Sequence, residues 1–123
     1  MRNYQQEIPN FGDVFLAELE TSENIQGGFR PVLISQNNRG NKYSPTVEVI
    51  PMSSRTTKAT HMPTHVIVEA NQINGLPKDS VVLAEQTTTI HKKRLKRKLG
   101  KLGRVEMIDV GRARAIQSPF PNS

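Results

Sequence analysis

Short stretches of apolar and β-branched side chains, separated by turns rich in glycine and asparagine, recur along the chain as far as Ile90. Residues 47–53 alternate most clearly, because Glu48 lies between Val47 and Val49 and therefore points away from both. The stretch 80–90 is rich in Val, Ile and Thr, which strands favour. Five strands are predicted in this way, at residues 14–19, 31–37, 47–53, 65–70 and 80–90, with a loop at 20–30 and a turn at 38–41.

The period changes after Ile90. Leu95, Leu99 and Leu102 recur at helical spacing, with basic residues on the other sides, and predict a helix. Two glycines then interrupt this helical pattern. Beyond them, apolar residues spaced three and four apart predict a closing helix over Arg104–Gln117, which ends at Ser118 and a proline. Several short strands followed by helix predict an α+β domain, a small barrel with a helical cover.

The size of the chain suits one domain over residues 1–123, with a polar N-terminal arm at 1–11 and a flexible tail at 118–123. Apolar residues make up 35% of the chain and there is no Trp, so Val, Ile and Leu must build the core. No apolar run exceeds four residues, so neither a transmembrane helix nor a signal peptide is predicted. The absence of cysteine fits a reducing cytoplasm.

The net charge of +6 is unevenly distributed. Eight basic residues and no acidic one lie between Lys92 and Arg104, while the rest of the chain has nine basic and eleven acidic residues. A basic segment on a nearly neutral body suits a polyanionic partner, either nucleic acid or an acidic peptide. The alternative is a solvated helical face that only aids solubility. The charge pattern leaves both open.

No phosphate-binding loop, zinc motif or serine-hydrolase motif is present, and no metal site or cofactor is predicted. The histidines are His61, His65 and His91, which lack ligand spacing. His65 opens a predicted strand and is interpreted as structural, whereas His61 lies in a loop and is better placed to touch a ligand.

The segment from Gly27 to Pro31 joins a loop to a strand and is the best candidate for chemistry. Gly27 and Gly28 permit unusual backbone angles and the close approach of a ligand. Arg30 then sits where the loop meets the strand, with Pro31 restricting the backbone. A guanidinium offers a planar fork of donors that matches phosphate oxygens, so Arg30 is a candidate phosphate clamp.

Seven blocks of sequence together resemble the MazF/PemK family of toxin endoribonucleases from bacterial toxin–antitoxin systems. They occur in family order and at family spacing as far as about Leu95. The blocks are Gly12 to Phe15, Gly27 to Leu33, Gln36-Asn37, Asn41 with Ser44 to Thr46, Pro51 to Ser53, Pro63 to Val66, and Asp79 to Ile90. The closing segment is similar only as a helix in the same place.

The resemblance implies an SH3-like β-barrel with a C-terminal helix and a homodimer. It also implies cleavage of single-stranded RNA at short sequence motifs, and a cognate antitoxin whose acidic, disordered tail occupies the RNA site. The family's catalytic arginine corresponds to Arg30, and its catalytic threonine to Ser53, which keeps the hydroxyl. Glu85 corresponds to a carboxylate that one branch of the family uses in proton transfer. The predicted RNA-binding residues are Gly27, Gly28, Phe29, Asn41, Ser54 and Gln86.

Two departures from the family pattern bear on this expectation. The branch that uses the carboxylate has an arginine where this chain has Leu83, and many relatives have Arg or Lys where it has Thr88. Arg30 suits the stabilisation of phosphate charge but not proton transfer, because a guanidinium normally stays protonated. Glu85 is either a general base or a partner in a structural hydrogen bond, and the sequence leaves both open.

The ribose 2′-hydroxyl of RNA is itself a nucleophile, so such an enzyme needs neither a metal ion nor external water. Three other functions remain as alternatives. A non-enzymatic RNA-binding barrel usually has a cluster of exposed aromatic residues. No predicted strand of this chain contains such a cluster. A gyrase poison of the same fold class is known for a C-terminal Trp, which is absent. A catalytically impaired relative that binds RNA or antitoxin is disfavoured by Arg30 and Ser53 but supported by Leu83 and Thr88.

Overall fold

A computed structural model describes residues 7–20, 28–54 and 62–121. The outer parts of the predicted arm and tail lie outside these ranges. The described chain contains seven strands, two helices and two short 3₁₀ turns. The strands are β1 (Asp13–Leu19), β2 (Gly28–Ile34), β3 (Thr46–Ser53), β4 (His65–Val68), β5 (Ser80–Leu83), β6 (Thr88–His91) and β7 (Leu95–Lys101). The helices are α1 (Asn38–Tyr43) and α2 (Arg104–Gln117), and the 3₁₀ turns are Ala84–Gln86 and Lys92–Arg94.

The strands form one antiparallel sheet in the order β4-β5-β3-β2-β1-β7, with β6 as a further partner of β3. One edge of β3 is therefore shared by two strands. Its first half, Thr46 to Val49, pairs with β6, and its last two residues, Met52 and Ser53, pair with β5. The long central strand thus connects two smaller sheets.

Apolar side chains lie on both faces of this sheet, because alternate residues of a strand point to opposite sides. The inner cluster, enclosed by β1, β2, β3 and the start of β7, contains Phe15, Ala17, Leu19, Val32, Ile34, Val47, Val49 and Leu95. The outer cluster lies beneath α2 and contains Val14, Leu33, Ile50, Met52, Val68, Leu76, Val82, Leu102 and Val110. The predicted α+β class is confirmed.

The predicted barrel is only partly formed, since no ladder within the described ranges joins the two ends of the sheet. The strands β6-β3-β2-β1-β7 surround the inner cluster, and the 3₁₀ turn Lys92–Arg94 connects the first of them to the last. A backbone contact covers part of the free edge of β7, where the Lys101 amide donates to the Ile73 carbonyl at 3.1 Å.

Two glycines make this backbone contact possible. A Cβ on Gly100 would lie 2.1 Å from the carbonyl oxygen of Ile73, and one on Gly75 would lie 1.9 Å from that of Leu99. Gly75 also has a φ of +67°, which favours glycine. The turn that contains Ile73 and Gly75 therefore packs against β7 with no room for a side chain between them.

The helix predicted from Leu95, Leu99 and Leu102 is wrong, because this segment is strand β7. Two irregularities in its pairing with β1 interrupt the strand alternation. As a result Leu95 lies in the inner cluster, whereas Leu99 and Leu102 pack on the outer one. The helical spacing thus arises from leucines that fill two different cores.

Two smaller predictions also change. The predicted strand 80–90 is broken at Ala84–Gln86, which lets the chain move from the end of β3 to its beginning. The predicted turn at 38–41 is helix α1, whose first turn is capped by the side chain of Asn37.

The closing helix is confirmed over Arg104–Gln117. The Glu106 carboxylate accepts from the Gly103 amide at its start, at 2.8 Å. Val110 and Ala113 are buried against the sheet, and Arg114 makes a two-pronged ion pair with Glu48 of β3. No helix within the described ranges is long and apolar enough to cross a membrane.

Candidate active site

Arg30 and Ser53 lie on the neighbouring strands β2 and β3, just beyond the last residue pair that joins these strands. In the antiparallel pairing of β2 with β3, Val32 is opposite Pro51. Arg30 and Ser53 each lie two residues beyond this pair, and the same register, if it continued, would set them opposite each other. The side chains of directly opposed residues share a face of the sheet and lie close together. The fold therefore places the two predicted catalytic residues at the same end of adjacent strands.

This pair occupies the end of the inner face of the sheet. Arg30 lies on the same side of β2 as Val32, and Ser53 on the same side of β3 as Val49, both members of the inner cluster. On the other flank of β2, Ala17 of β1 is opposite Arg30. Arg30 is half-buried and Ser53 is 5% exposed. Pairing with β1 therefore fixes the backbone from which the guanidinium extends.

Gly28 and Phe29 begin β2 immediately before Arg30. Gly28 has a φ of +84°, and no atom of the described residues lies within 4 Å of the position that a Cβ would take. Its backbone is therefore open to the close approach of a ligand. Phe29 is 64% exposed, which makes it an aromatic surface next to Arg30. Gly27, also predicted to contact RNA, lies outside the described residues.

Glu85 is held by two hydrogen bonds. The Thr64 hydroxyl donates to one carboxylate oxygen at 3.0 Å, and Nε2 of His65 lies 2.7 Å from the other. The His65 side chain is 9% exposed and that of Glu85 is 24% exposed. Of the two interpretations that the sequence left open for Glu85, this geometry favours the structural hydrogen bond.

Sequence reasoning missed the link between Glu85 and His65. The two residues are twenty positions apart, and the pairing of β4 with β5 sets His65 opposite Leu83, two residues before Glu85. Only the strand pairing carries this information, since no local pattern connects a histidine at the start of one strand with a carboxylate after the next.

Asn41, one of the predicted RNA contacts, is fully buried in α1. Its side-chain amide donates to the Gln36 carbonyl at 2.9 Å and to Oδ1 of Asn38 at 3.2 Å. In this structure Asn41 therefore holds the turn between β2 and β3 and presents no atom to the surface.

The remaining predicted residues differ in their exposure. Ser54 is exposed directly after Ser53, at the end of β3. Gln86 is half-buried, and its Oε1 lacks a hydrogen-bond partner among the described residues. His61 lies outside the described ranges. Within those ranges no group of three or more histidine or acidic side chains could hold a metal ion.

A family profile described as the PemK-like, MazF-like toxin of type II toxin–antitoxin systems matches residues 10–117. The chain belongs to the PemK/MazF toxin family. The match includes both Arg30 and Ser53 and extends through α2, the segment that the sequence blocks resembled least.

Similar proteins agree with this assignment. An endoribonuclease MazF from Staphylococcus epidermidis is 50% identical over 112 residues, which cover 90% of this chain and 92% of the relative. Among solved structures, the Mycobacterium tuberculosis toxin MazF-mt6 is 26% identical, with a TM-score of 0.73 over 89% of this chain and 98% of its own. MazF from Deinococcus radiodurans is 20% identical and supports the fold alone, with a TM-score of 0.79 over 94% and 100% of the two chains.

The two departures from the PemK/MazF pattern lie at defined places in the structure. Leu83 is 6% exposed and packs with Val81, so a buried aliphatic side chain occupies the position at which one branch of the family has an arginine. Thr88 is half-buried at the start of β6, opposite Val49. Neither residue replaces the charge of its counterpart in the relatives.

Proposed function

We propose that this endoribonuclease of the PemK/MazF family cleaves single-stranded RNA at short sequence motifs without a metal ion, and that Arg30 and Ser53 act at the scissile phosphate. The observation that carries the proposal is that Arg30 and Ser53 lie at the same end of the adjacent strands β2 and β3, each two residues beyond the pair of Val32 with Pro51, and that Gly28 lies beside them with a positive φ. Phosphate is the part of RNA that a guanidinium fork and a hydroxyl both recognise.

The chemistry uses the nucleophile that RNA carries. The 2′-oxygen forms a bond to the adjacent phosphorus while the bond from phosphorus to the 5′-oxygen breaks. The proton of the 2′-hydroxyl passes to a base, and the leaving 5′-oxygen takes up a proton. The products are a 2′,3′-cyclic phosphate and a free 5′-hydroxyl. The enzyme needs to align the attack and to stabilise charge that grows on the non-bridging oxygens.

Arg30 supplies the charge stabilisation. Its backbone pairs with Ala17 of β1, so the strand that carries the guanidinium is ordered before substrate arrives, which favours the transition state over bound substrate. The Ser53 hydroxyl donates a hydrogen bond to a phosphate oxygen, or it accepts a hydrogen bond from the attacking 2′-hydroxyl. Of the predicted catalytic residues, Glu85 already uses both carboxylate oxygens on Thr64 and His65, and we assign it a positioning role.

End-group analysis after cleavage of a long RNA in excess EDTA tests this function. We expect cleavage to persist and to leave cyclic or 3′-phosphate ends together with 5′-hydroxyls, at recurring short motifs. Products with 5′-phosphates would indicate an activated water and a metal ion, and would contradict the mechanism. RNA that is bound but not cut would support the alternative, a catalytically impaired member that binds RNA or antitoxin.

The proposal extends to the partners of the protein. We propose that it acts in the cytoplasm as a homodimer, and that a cognate antitoxin with an acidic, disordered tail blocks the RNA site. The net charge of +6 supports an acidic partner. Among the solved structures with this fold is an endoribonuclease from mycobacterial species in complex with its cognate antitoxin, with a TM-score of 0.75 at 23% identity.

A further inference from the structure

The basic segment lies two strands away from Arg30. Ala17 of β1 is opposite Arg30 on one side and opposite Leu95 on the other. Two strand spacings separate Leu95 from Arg30, which is about 10 Å. Arg94 and Lys96 flank Leu95 in the sequence, so the segment begins within reach of the neighbouring phosphates of an RNA bound at Arg30.

Part of the basic charge faces acidic side chains of the adjacent strand. Lys98 lies 3.4 Å from the carboxylate of Asp13, which is 5% exposed and belongs to the packing of β1. Arg94 pairs with Glu20 at 2.6 Å and Lys96 with Glu18 at 3.8 Å, and these two acidic side chains are 78% and 48% exposed. Ion pairs this exposed stabilise a fold only slightly, so both are open to exchange with a phosphate.

One surface combines these cations with an aromatic ring. Phe29 is opposite Glu18 across β1 and β2, and Leu16 is opposite Arg97 across β1 and β7. Glu18 and Leu16 are two residues apart on β1, so these four side chains project from the same face of the sheet. Arg97 is exposed and makes no ion pair with any described residue.

Phe29 also connects this surface with the active site. Phe29 and Arg30 are consecutive at the start of β2, so their side chains leave opposite faces of the same strand end. The ring and the guanidinium therefore extend from the same end of β2, although they face opposite sides of the sheet. Stacked bases and neutralised phosphates are the usual basis of single-strand binding.

We propose that Phe29, Arg94, Lys96 and Arg97, here named the basic strip, form a second binding surface for single-stranded RNA. Bases stack on Phe29, and phosphates beyond the scissile one contact the three cations. Glu18 and Glu20 compete for two of these cations and weaken the surface. This inference rests on the proposed function, since it extends the RNA path away from Arg30.

RNA fits this surface better than an acidic peptide does. A peptide that added along the whole free edge of β7 as a further strand would need the Lys101 amide, which already donates to Ile73. Gly100, the residue before it, lies against the Ile73 carbonyl as well. An exposed aromatic ring among cations is also a feature of surfaces that bind bases.

The test measures binding separately from cleavage, with long and short single-stranded RNAs that carry 2′-fluoro groups in place of the nucleophile. The Lys96→Gln/Arg97→Gln double variant should bind the long RNA at least tenfold more weakly. It should also flatten the dependence of log affinity on log salt by about 1.4, since each lost phosphate contact contributes about 0.7. Phe29→Ala should weaken binding roughly tenfold with little change in the salt slope. The short RNA should change less in every case.

Two further variants complete the test. One is a charge-matched control, and the other is expected to tighten RNA binding. Arg39→Gln/Lys42→Gln removes the same charge from α1, next to the start of β3, and should leave affinity within about twofold of the parent, because its cations lie off the basic strip. Glu18→Gln/Glu20→Gln should tighten binding of the long RNA by several-fold. Equal losses in the strip and α1 variants would overturn the proposal, as would unchanged binding after Lys96→Gln/Arg97→Gln.

A third outcome distinguishes the partner. If Lys96→Gln/Arg97→Gln lost binding of polyglutamate but kept RNA binding, the strip would serve an acidic protein and the proposal would be wrong. Failure of the proposed cleavage is a separate result, because it appears on natural RNA while binding of 2′-fluoro RNA stays unchanged.

Discussion

The strand that carries Arg30 makes this residue well suited to stabilise charge on a phosphate. A guanidinium on a loop loses conformational freedom when it meets a phosphate, whereas Arg30 extends from a strand that is paired with β1 and faces β3. Ser53, at the same end of β3, is nearly buried, so its hydroxyl has little room to move when RNA is absent. Catalysis by such preorganised donors requires little rearrangement as charge develops.

Replacing Arg30 with Ala should lower the cleavage rate by roughly 10²–10³, the usual cost of removing one preorganised donor. Binding of RNA should remain measurable, because other contacts persist. Arg30→Lys keeps the charge but loses the two-pronged geometry, and should restore only a small part of the rate. Single-turnover cleavage of a long RNA measures this, with Arg39→Ala on α1 as the control. Cleavage by folded Arg30→Ala within a few-fold of the parent would contradict the assignment.

Ser53→Ala should reduce cleavage less than Arg30→Ala does, because a neutral hydroxyl contributes less to a charged transition state than a cation. Ser53→Thr keeps the hydroxyl and should stay within a few-fold of the parent rate. The same single-turnover assay ranks the variants, and Thr89→Ala removes an exposed hydroxyl from β6 as a control. A Ser53→Ala enzyme as impaired as Arg30→Ala would give the hydroxyl a larger role than we propose.

At this scale the sequence predicted the pair but not its surroundings. Arg30 and Ser53 lie in short motifs that can be recognised one at a time, and the pairing of β2 with β3 places them at the same end of adjacent strands. The hydrogen bonds of Glu85 depend instead on the pairing of β4 with β5 and on a break in the predicted strand 80–90. The burial of Asn41 depends on a helix where a turn was predicted.

At the scale of elements, β7 shows why a period alone misleads. Its leucines are spaced as in a helix, yet they serve clusters on opposite faces of the sheet. The partner that makes this segment a strand is β1, about eighty residues earlier, whose acidic side chains face its lysines and arginines. This complementarity can be seen only once the two strands are aligned. Helix α2 was predicted with its observed bounds, because its apolar spacing and its terminating residues are local features of the sequence.

Gly100→Ala should destabilise the protein by about 1–3 kcal/mol, the usual cost of overpacking. Its new methyl group would meet the backbone of Ile73 and Asn74, which cannot move aside as a flexible side chain can. Gly111→Ala in α2 is the matched control, because none of the described residues outside its own helical turn lies within 4 Å of its Cβ position. It should stabilise the helix by up to ~1 kcal/mol.

Urea unfolding of both glycine variants at one fixed protein concentration measures this difference. Equal stability of Gly100→Ala and the parent would mean that the turn at Ile73 does not pack against β7 as described.

At the scale of the molecule, we expect a homodimer. The family resemblance implies it, and several large apolar side chains of the described chain are exposed on α2 and β4. These are Ile67, Val105, Ile108 and Ile116. A chain with only 35% apolar residues has a small core, which an added interface would stabilise. Sedimentation that showed only monomer at micromolar concentration would contradict this expectation.

The acidic antitoxin tail should bind the same surface as RNA and inhibit cleavage competitively. The eight basic residues from Lys92 to Arg104 carry more than the whole net charge of the chain, so they should attract any polyanion. The association rate of the tail should therefore fall as salt rises, because exposed charges are screened. Reversing Lys93 and Arg97 to Glu should slow association of the tail and weaken RNA binding together. The same reversal at Arg39 and Lys42 should have a much smaller effect, since those cations lie on α1.

Stopped-flow association over a range of salt concentrations, with cleavage at several RNA concentrations, measures both effects. Inhibition that left RNA binding intact would show that the two ligands occupy different surfaces, and a change in solubility alone would identify the basic segment as a solvated face.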